Sequence, residues 1–233
     1  LWFAPLEPTS NPTYQPRRNY LEEQVAKSYS QEDVNRIAEL LQTNAEDEVL
    51  AHEMVQIVNK RFFDKEIPLE ITQTAKHTVQ NFGEAVVPWK YNRGRKSQQQ
   101  VMEYCEQNLS PDVHILDVGH NIGEVVQATA GGLRKLKENL DKPIEEIFTS
   151  NPLTPQVPRI AVKASTFDGL LSSPTTPGKT VVILKIGEAA KKTHDINFTF
   201  AAGSDERVCV FKDFFLQFMR DLQQELKQLS VNS

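Results

Sequence analysis

The segment that most constrains the fold lies near the end of the chain, where Phe211, Phe214, Phe215, Phe218, Leu222 and Leu226 recur at three- and four-residue steps. A helix puts all six on one side, and a helix with so large an apolar face has to be buried against other elements. Just before it runs Phe198-Thr-Phe-Ala-Ala-Gly-Ser-Asp-Glu-Arg-Val-Cys209. Gly203 and the two alanines ahead of it leave room for a flat ligand to approach the backbone. Cys209 is expected to open the helix. There the positive end of the helix dipole and the unpaired N–H groups favour the thiolate, the form that ligates metal or attacks electrophiles. A cysteine at the edge of an apolar helix also serves as a small core residue.

Composition bounds the rest. With 233 residues, 39% hydrophobic and 24% charged, the chain can bury a sizeable core, and residues 1–233 read as one domain. A net charge of -5 argues against a general nucleic-acid binder, whose footprint is a basic surface. The basic runs at Arg93 to Lys96 and at Lys191 and Lys192 are short and read as solvated loop. Cys105 and Cys209 stand far apart, which gives neither a disulfide framework nor a zinc signature and suits a reducing compartment. No apolar run reaches the length of a membrane span, and the first residues lack the pattern of a signal peptide, so a soluble, cytoplasmic protein is expected.

Along the chain, four prolines within residues 1–19 predict an extended arm, whose Trp2, Phe3 and Leu6 lie on the body of the protein. A helical part follows over 20–137. Helices are predicted at about 19–29, at 30–43 with a capping-box-like start at Ser30 and Asp33, at 46–62, from Ile67 through Phe82, and at 96–108. The breakers in Pro88 to Arg95 predict a loop. Residues 111–137 form a long helix that is apolar nearly all round, with Gly119 and Gly123 about one turn apart where a ligand or another backbone approaches. His52 and His77 find no metal partners at one-turn spacing and read as ordinary polar or core residues. Residues 138–233 hold a short helix at 141–149, strands from Arg159 to Ser165 and from Lys179 to Ile186 joined by a Pro/Gly turn as a hairpin, the cysteine loop and the last helix. The fold class is mainly α with a small β component.

Taken in this order, the second half of the chain, about residues 111–229, resembles the cytochrome P-450, or haem-thiolate, superfamily. Val118-Gly-His-Asn-Ile is similar to that family's oxygen-binding helix, and Ile144-Glu-Glu-Ile-Phe-Thr to its short Glu-x-x-Arg helix. Val157-Pro-Arg-Ile-Ala resembles the strand whose arginine holds a haem propionate. Thr176-Pro-Gly-Lys-Thr-Val-Val-Ile resembles its proline, glycine and hydrophobic-strand segment, and Phe200-Ala-Ala-Gly203 with Arg207 and Cys209 its thiolate-delivering loop. The resemblance implies a shortened P-450-like fold and haem b with its iron ligated by Cys209. Arg159, Phe200, Gly203 and Arg207 would contact the cofactor, and Asn121, His120 and Ile122 would face the reaction. It further implies an oxidoreductase acting on a small hydrophobic substrate.

The chain departs from the family pattern at several positions. Thr149 stands where the arginine of Glu-x-x-Arg belongs, opposite Glu146. The cysteine loop carries two extra residues, Phe211 replaces a glycine, and Gly187 leads almost directly to Phe198. Asn121 and Ile122 occupy the places of the acid and alcohol that hand protons to dioxygen, leaving His120 as the titratable group in that turn. Two enzyme readings follow, a monooxygenase fed by a ferredoxin-type electron donor and a peroxide-using variant. The alternative is a catalytically degenerate ligand-binding or interaction protein. Helix faces left uncovered by a shortened fold predict a homodimer, with Trp2 and Phe3 crossing to the partner.

Overall fold

The computed structural model describes residues 12–27, 29–63, 65–83, 88–109, 113–153, 157–160, 164–166, 173–176, 181–200 and 209–231, and the chain is mainly helical. In order come α1 (Tyr14–Ala26), α2 (Gln31–Gln42), α3 (Asp47–Asn59), α4 (Leu69–Gly83), α5 (Pro88–Asn108), α6 (Ile115–Glu138), α7 (Ile144–Ser150), β1 (Val157–Ile160), β2 (Val181–Leu184), α8 (Ile186–Thr193), a 3-10 turn (Ile196–Phe200) and α9 (Lys212–Val231). Among the described residues, no helix is long and apolar enough to cross a membrane.

Two predicted breaks are helices instead. The described part of the expected N-terminal arm is already α1 from Tyr14, with Pro16 in its first turn. Proline is tolerated there because its missing N–H is one that no intrahelical carbonyl would accept. The arm's Trp2, Phe3 and Leu6 lie outside the described residues. The loop expected at Pro88 to Arg95 is the start of α5, with Pro88 as the first helical residue, the position its fixed φ suits. Gly94 is buried within that helix. Proline and glycine acted here as a start signal and a helix-interior residue, not as breakers.

Other expectations hold with shifted ends. Ser30 and Asp33 form a reciprocal capping box at the start of α2. At its far end, Asn44 takes a positive φ of 53°, and Ala45 N–H donates to Leu40 O at 2.9 Å, a left-handed turn that asparagine tolerates. Two cations from the last part of α6 secure this end. Lys137 Nζ donates to Leu41 O at 2.6 Å and to Asn44 Oδ1 at 2.9 Å. Arg134 reaches Ala45 O at 2.5 Å and Asp47 Oδ1 at 2.7 Å. Positive charge beside the carbonyl end of a helix is favourable. Between α3 and α4 the amide of Gln56 exchanges two hydrogen bonds with the backbone of Ile67, at 2.6 and 2.9 Å, fixing the extended residue that Pro68 demands.

The long helix α6 is the axis of the molecule and touches α2, α3, α4, α5, α7 and α9. It is one continuous helix through Gly119 and Gly123. The last helix behaves as its stripe requires: Phe214, Phe215, Phe218, Met219, Leu222 and Leu226 are all buried. Its rings bind neighbouring elements together. Tyr29 meets Phe214 and Phe218 edge-on with centroids 5.3 and 5.2 Å apart, and Phe215 meets Phe148 of α7 at 5.2 Å and Phe200 at 5.7 Å. Such ring pairs add about 0.5–1.5 kcal/mol beyond the area they bury. The strands are an antiparallel pair, Val157 opposite Leu184 and Ile160 opposite Val181. The expected hairpin is therefore present but shorter than read. The long connection between its strands is pinned where Thr175 N–H donates to Ser165 O at 2.9 Å. The helix α8 was not foreseen. The exposed large apolar side chains among the described residues, Tyr20, Val49, Leu69, Leu184 and Val231, lie on separate elements.

Adjacent glycines in α6 give a test of this packing. A Cβ on Gly131 would meet nothing within 4 Å, whereas one on Gly132 would stand 2.7 Å from Leu153 Cδ2 and 3.5 Å from Phe148 Cε1. Gly131→Ala should therefore raise the unfolding free energy by about 1 kcal/mol through helix propensity. Gly132→Ala should give less or none of that gain, because Leu153 must move. Phe218→Ala should cost about 3–5 kcal/mol. Urea unfolding of the three variants measures all of these, and equal gains from both glycine replacements would contradict the packing of α6 on α7 and α9.

Candidate functional site

Two of the candidate residues, Phe200 and Cys209, stand on either side of the connection that leads into α9. Phe200 ends the 3-10 turn and is buried against Phe215, and Thr199 Oγ1 donates to Phe148 O of α7 at 3.1 Å. On the far side of the loop, Cys209 O accepts from Lys212 N–H at 3.1 Å. Lys212 Nζ donates to Asn197 Oδ1 at 2.7 Å, so the two ends of the cysteine loop are tied side by side. Gly203 and Arg207, between those ends, lie outside the described residues. Arg159 is in β1, opposite Val182; its side chain lies outside the described part, as does that of His120 in α6.

Cys209 does not open the helix, because α9 starts three residues later at Lys212. The thiolate expected from the helix dipole is not what this position favours. The thiol is pushed up to about 11, mainly by burial and slightly by the Glu124 carboxylate, against a hydrogen bond from the Phe211 backbone and the Arg18 charge, which pull the other way. Desolvation outweighs the dipole because removing a charge from water costs more than one helix turn of N–H groups returns. Cys105, inside α5 with no charged neighbour to oppose burial, is pushed up to about 12. Both cysteines are neutral thiols in the folded chain.

Cys209 packs against the core cluster, and the charges of Glu124 on α6 and Arg18 on α1 act on its thiol. Glu124 is half-buried on α6, one turn after Asn121, and sequence reasoning missed it. The signal was present, since residues three apart on a helix share a side. Asn121 itself is buried, and its Nδ2 has no hydrogen-bond partner among the described residues. An unanswered buried donor costs about 1–3 kcal/mol. Ile122 is fully buried in the core cluster and has no polar atom to offer.

On α7, Thr149 stands in place of the arginine of Glu-x-x-Arg and makes no pair with Glu146. Thr149 is buried and its Oγ1 donates to Glu145 O at 2.8 Å and to Glu146 O at 3.3 Å, within its own helix. Glu146 is exposed and lies 3.4 Å from Lys142. A different acid and guanidinium meet here: Arg220 of α9 donates to Glu145 at 2.6 Å, joining the two helices. Exposed as it is, that pair contributes at most about 1 kcal/mol. His52 Nδ1 lies 2.9 Å from Thr72 Oγ1, and burial holds its pKa below the ordinary value. Among the described residues, no cluster of histidine, cysteine and acid side chains is arranged to hold a metal ion. Two donor groups among the described residues could meet an iron porphyrin, the half-buried thiol of Cys209 and the unanswered amide of Asn121 on α6.

Compared with models of protein families, with curated proteins and with solved structures, the chain matches none.

Raised thiol pKa values make stability fall with alkali. A cysteine with an ordinary value of 9.0 loses its proton in the unfolded chain first, while folded Cys209 keeps it to about 11. The folded state then binds more protons, so its stabilisation is complete below about pH 9 and is lost as pH rises towards 11. Urea midpoints should drop across this window, and the drop should be shallower in Cys209→Ala. Iodoacetamide should label neither cysteine of the folded protein at a rate near that of a free thiol at about pH 8, since the thiolate is the nucleophile. Rapid native labelling of Cys209 would contradict the burial described.

Proposed function

We propose that this protein is a divergent, shortened haem-thiolate protein of the cytochrome P-450 kind, holding haem b through Cys209 and oxidising a small hydrophobic molecule. The reading rests on one observation, Cys209 packed against the core where the Glu124 carboxylate of α6 acts on its thiol, with Lys212 bonded to Asn197 beside it. When bound, haem would supply an iron centre that takes the cysteine sulfur as a ligand and carries the oxidation. The chain's own part is to offer the Cys209 thiol just before α9 and to keep water away with the buried rings of Phe200, Phe211 and Phe215. Ligation requires Cys209 to give up its proton, and a cation overcomes the burial that otherwise holds it there. Arg159 is the guanidinium assigned to a propionate, and Arg207 would also contact the cofactor. Asn121 would offer its unanswered amide to an acceptor on the bound group, His120 would be the titratable group in the same turn, and Ile122 would add an apolar side chain. With neither an acid nor an alcohol at Asn121 and Ile122, a peroxide is the oxidant favoured over dioxygen with a ferredoxin-type donor.

A second reading, a degenerate relative that binds a ligand or partner without turnover, is favoured by Thr149. Its hydroxyl bonds into its own helix, and Glu146 is left on the surface, so the ion pair that would brace the family's fold has no counterpart at these two positions.

Titration of the purified protein with haemin, followed by reduction under carbon monoxide, separates the two. The haem reading expects a stoichiometric complex with a thiolate-type spectrum that Cys209→Ala abolishes, and Asn121→Ala should shift the spectrum while leaving binding in place. A protein that takes up no haem, or whose Cys209→Ala variant keeps the same spectrum, leaves the degenerate reading standing.

A further inference from the structure

The basic run in α5 is not solvated loop, and its position assigns it a role separate from that of Cys209. The helices α4 and α5 pack along their length and leave between them an open groove of about 540 Å³. Helical spacing brings its walls together: His77, Gln80 and Asn81 recur at steps of three and four on α4, and Arg93, Lys96 and Gln100 do the same on α5. Among the described residues, no carboxylate lines the groove. Glu48, which feels the charge of His77, is held by Lys76 at 2.8 Å and by Gln73 at 3.5 Å.

The arginines here differ from the other described arginines. Among the arginines whose side chains are described, Arg17, Arg18, Arg36, Arg134 and Arg220 sit in ion pairs, and Arg61 donates to Lys27 O at 3.0 Å. Arg93 and Arg95 alone among them have neither arrangement, and Lys96 likewise meets no carboxylate among the described residues. In a protein of net charge -5, with acids in excess, two unanswered cations one turn apart in a concave place are a local exception. A forked guanidinium and a point-charge ammonium together suit an anion with several oxygens, and amide side chains suit hydroxyls around it. The volume exceeds that of a lone anion and lies within the range of small-molecule sites. The net charge speaks against a nucleic-acid track.

We propose that the α4–α5 groove binds a phosphate-bearing polar small molecule, with Arg93 and Lys96 on the phosphate and His77, Gln80 and Gln100 around the remainder. The proposal does not depend on haem.

The test is calorimetric titration of the full chain with ADP and, separately, with inorganic phosphate, at low and at physiological salt. ADP should bind, more weakly as salt rises, because exposed charges are screened. Arg93→Gln with Lys96→Gln should weaken binding about tenfold or more, as expected when charge-assisted hydrogen bonds are lost. Arg95→Gln, an exposed cation outside the groove, should leave it unchanged, and circular dichroism checks that each variant keeps its helices. No binding of ADP, an equal loss in Arg95→Gln, or binding of phosphate with none of ADP, which would mean an adventitious ion only, would each overturn it.

Discussion

Burial of the aromatic face of α9 is the interaction on which the rest of the structure depends. Phe214 and Phe218 hold Tyr29 and with it the start of α2, while Phe215 holds Phe148 of α7 and Phe200 of the cysteine loop. Elements nearly two hundred residues apart in the chain are thus fastened to one helix face. Tyr29 adds a polar tie, its hydroxyl donating to Asp221 at 2.8 Å, which together with burial keeps the phenol protonated well above its ordinary range. The position of Cys209 is a consequence, because the loop can enter α9 only where that face is already seated.

Polar contacts set the register of the helices more than they add to stability. Arg17 forks onto Asp117, with Nη2 to Oδ1 at 2.8 Å, and also lies 3.1 Å from His114 Nδ1, fastening α1 to the start of α6. Arg134 and Lys137 fasten the other end of α6 to the close of α2. Gln223 of α9 donates to Leu140 O and Lys142 O at 3.0 and 2.8 Å, bracing the turn before α7. Each such bond is worth about 1 kcal/mol net. Their value lies in direction: an apolar stripe tolerates sliding by a turn, and a side chain reaching one particular carbonyl does not.

The Cys209 site shows two physical effects in competition. A helix start favours a thiolate, and a protein interior disfavours any lone charge. Here the sulfur lies outside the first turn of α9 and against the core, so the interior prevails. A thiol so placed is inert towards electrophiles in water, yet it remains a ligand for a cation able to displace its proton. The groove at Arg93 and Lys96 is the opposite case, with charges left in solvent and unpaired, where binding loses little hydration.

Much of the fold was legible in the sequence wherever one period dominated. The stripe of α9, the capping box of α2 and the all-round apolar α6 each needed only the chain's own spacing to be read, because helix geometry turns spacing into a face. Punctuation residues misled: Pro16 and Pro88 were read as breaks, although a proline in a first helical turn lacks only an N–H that the helix does not use. Which cations pair, how the basic run of α5 faces α4, and whether Cys209 is charged were all decided by tertiary structure. Each depends on neighbours brought from distant parts of the chain, Glu124 and Arg18 beside the cysteine and His77 across the groove. A thiol's charge and a cation's freedom are properties of surroundings, and the sequence by itself names the group without naming what surrounds it.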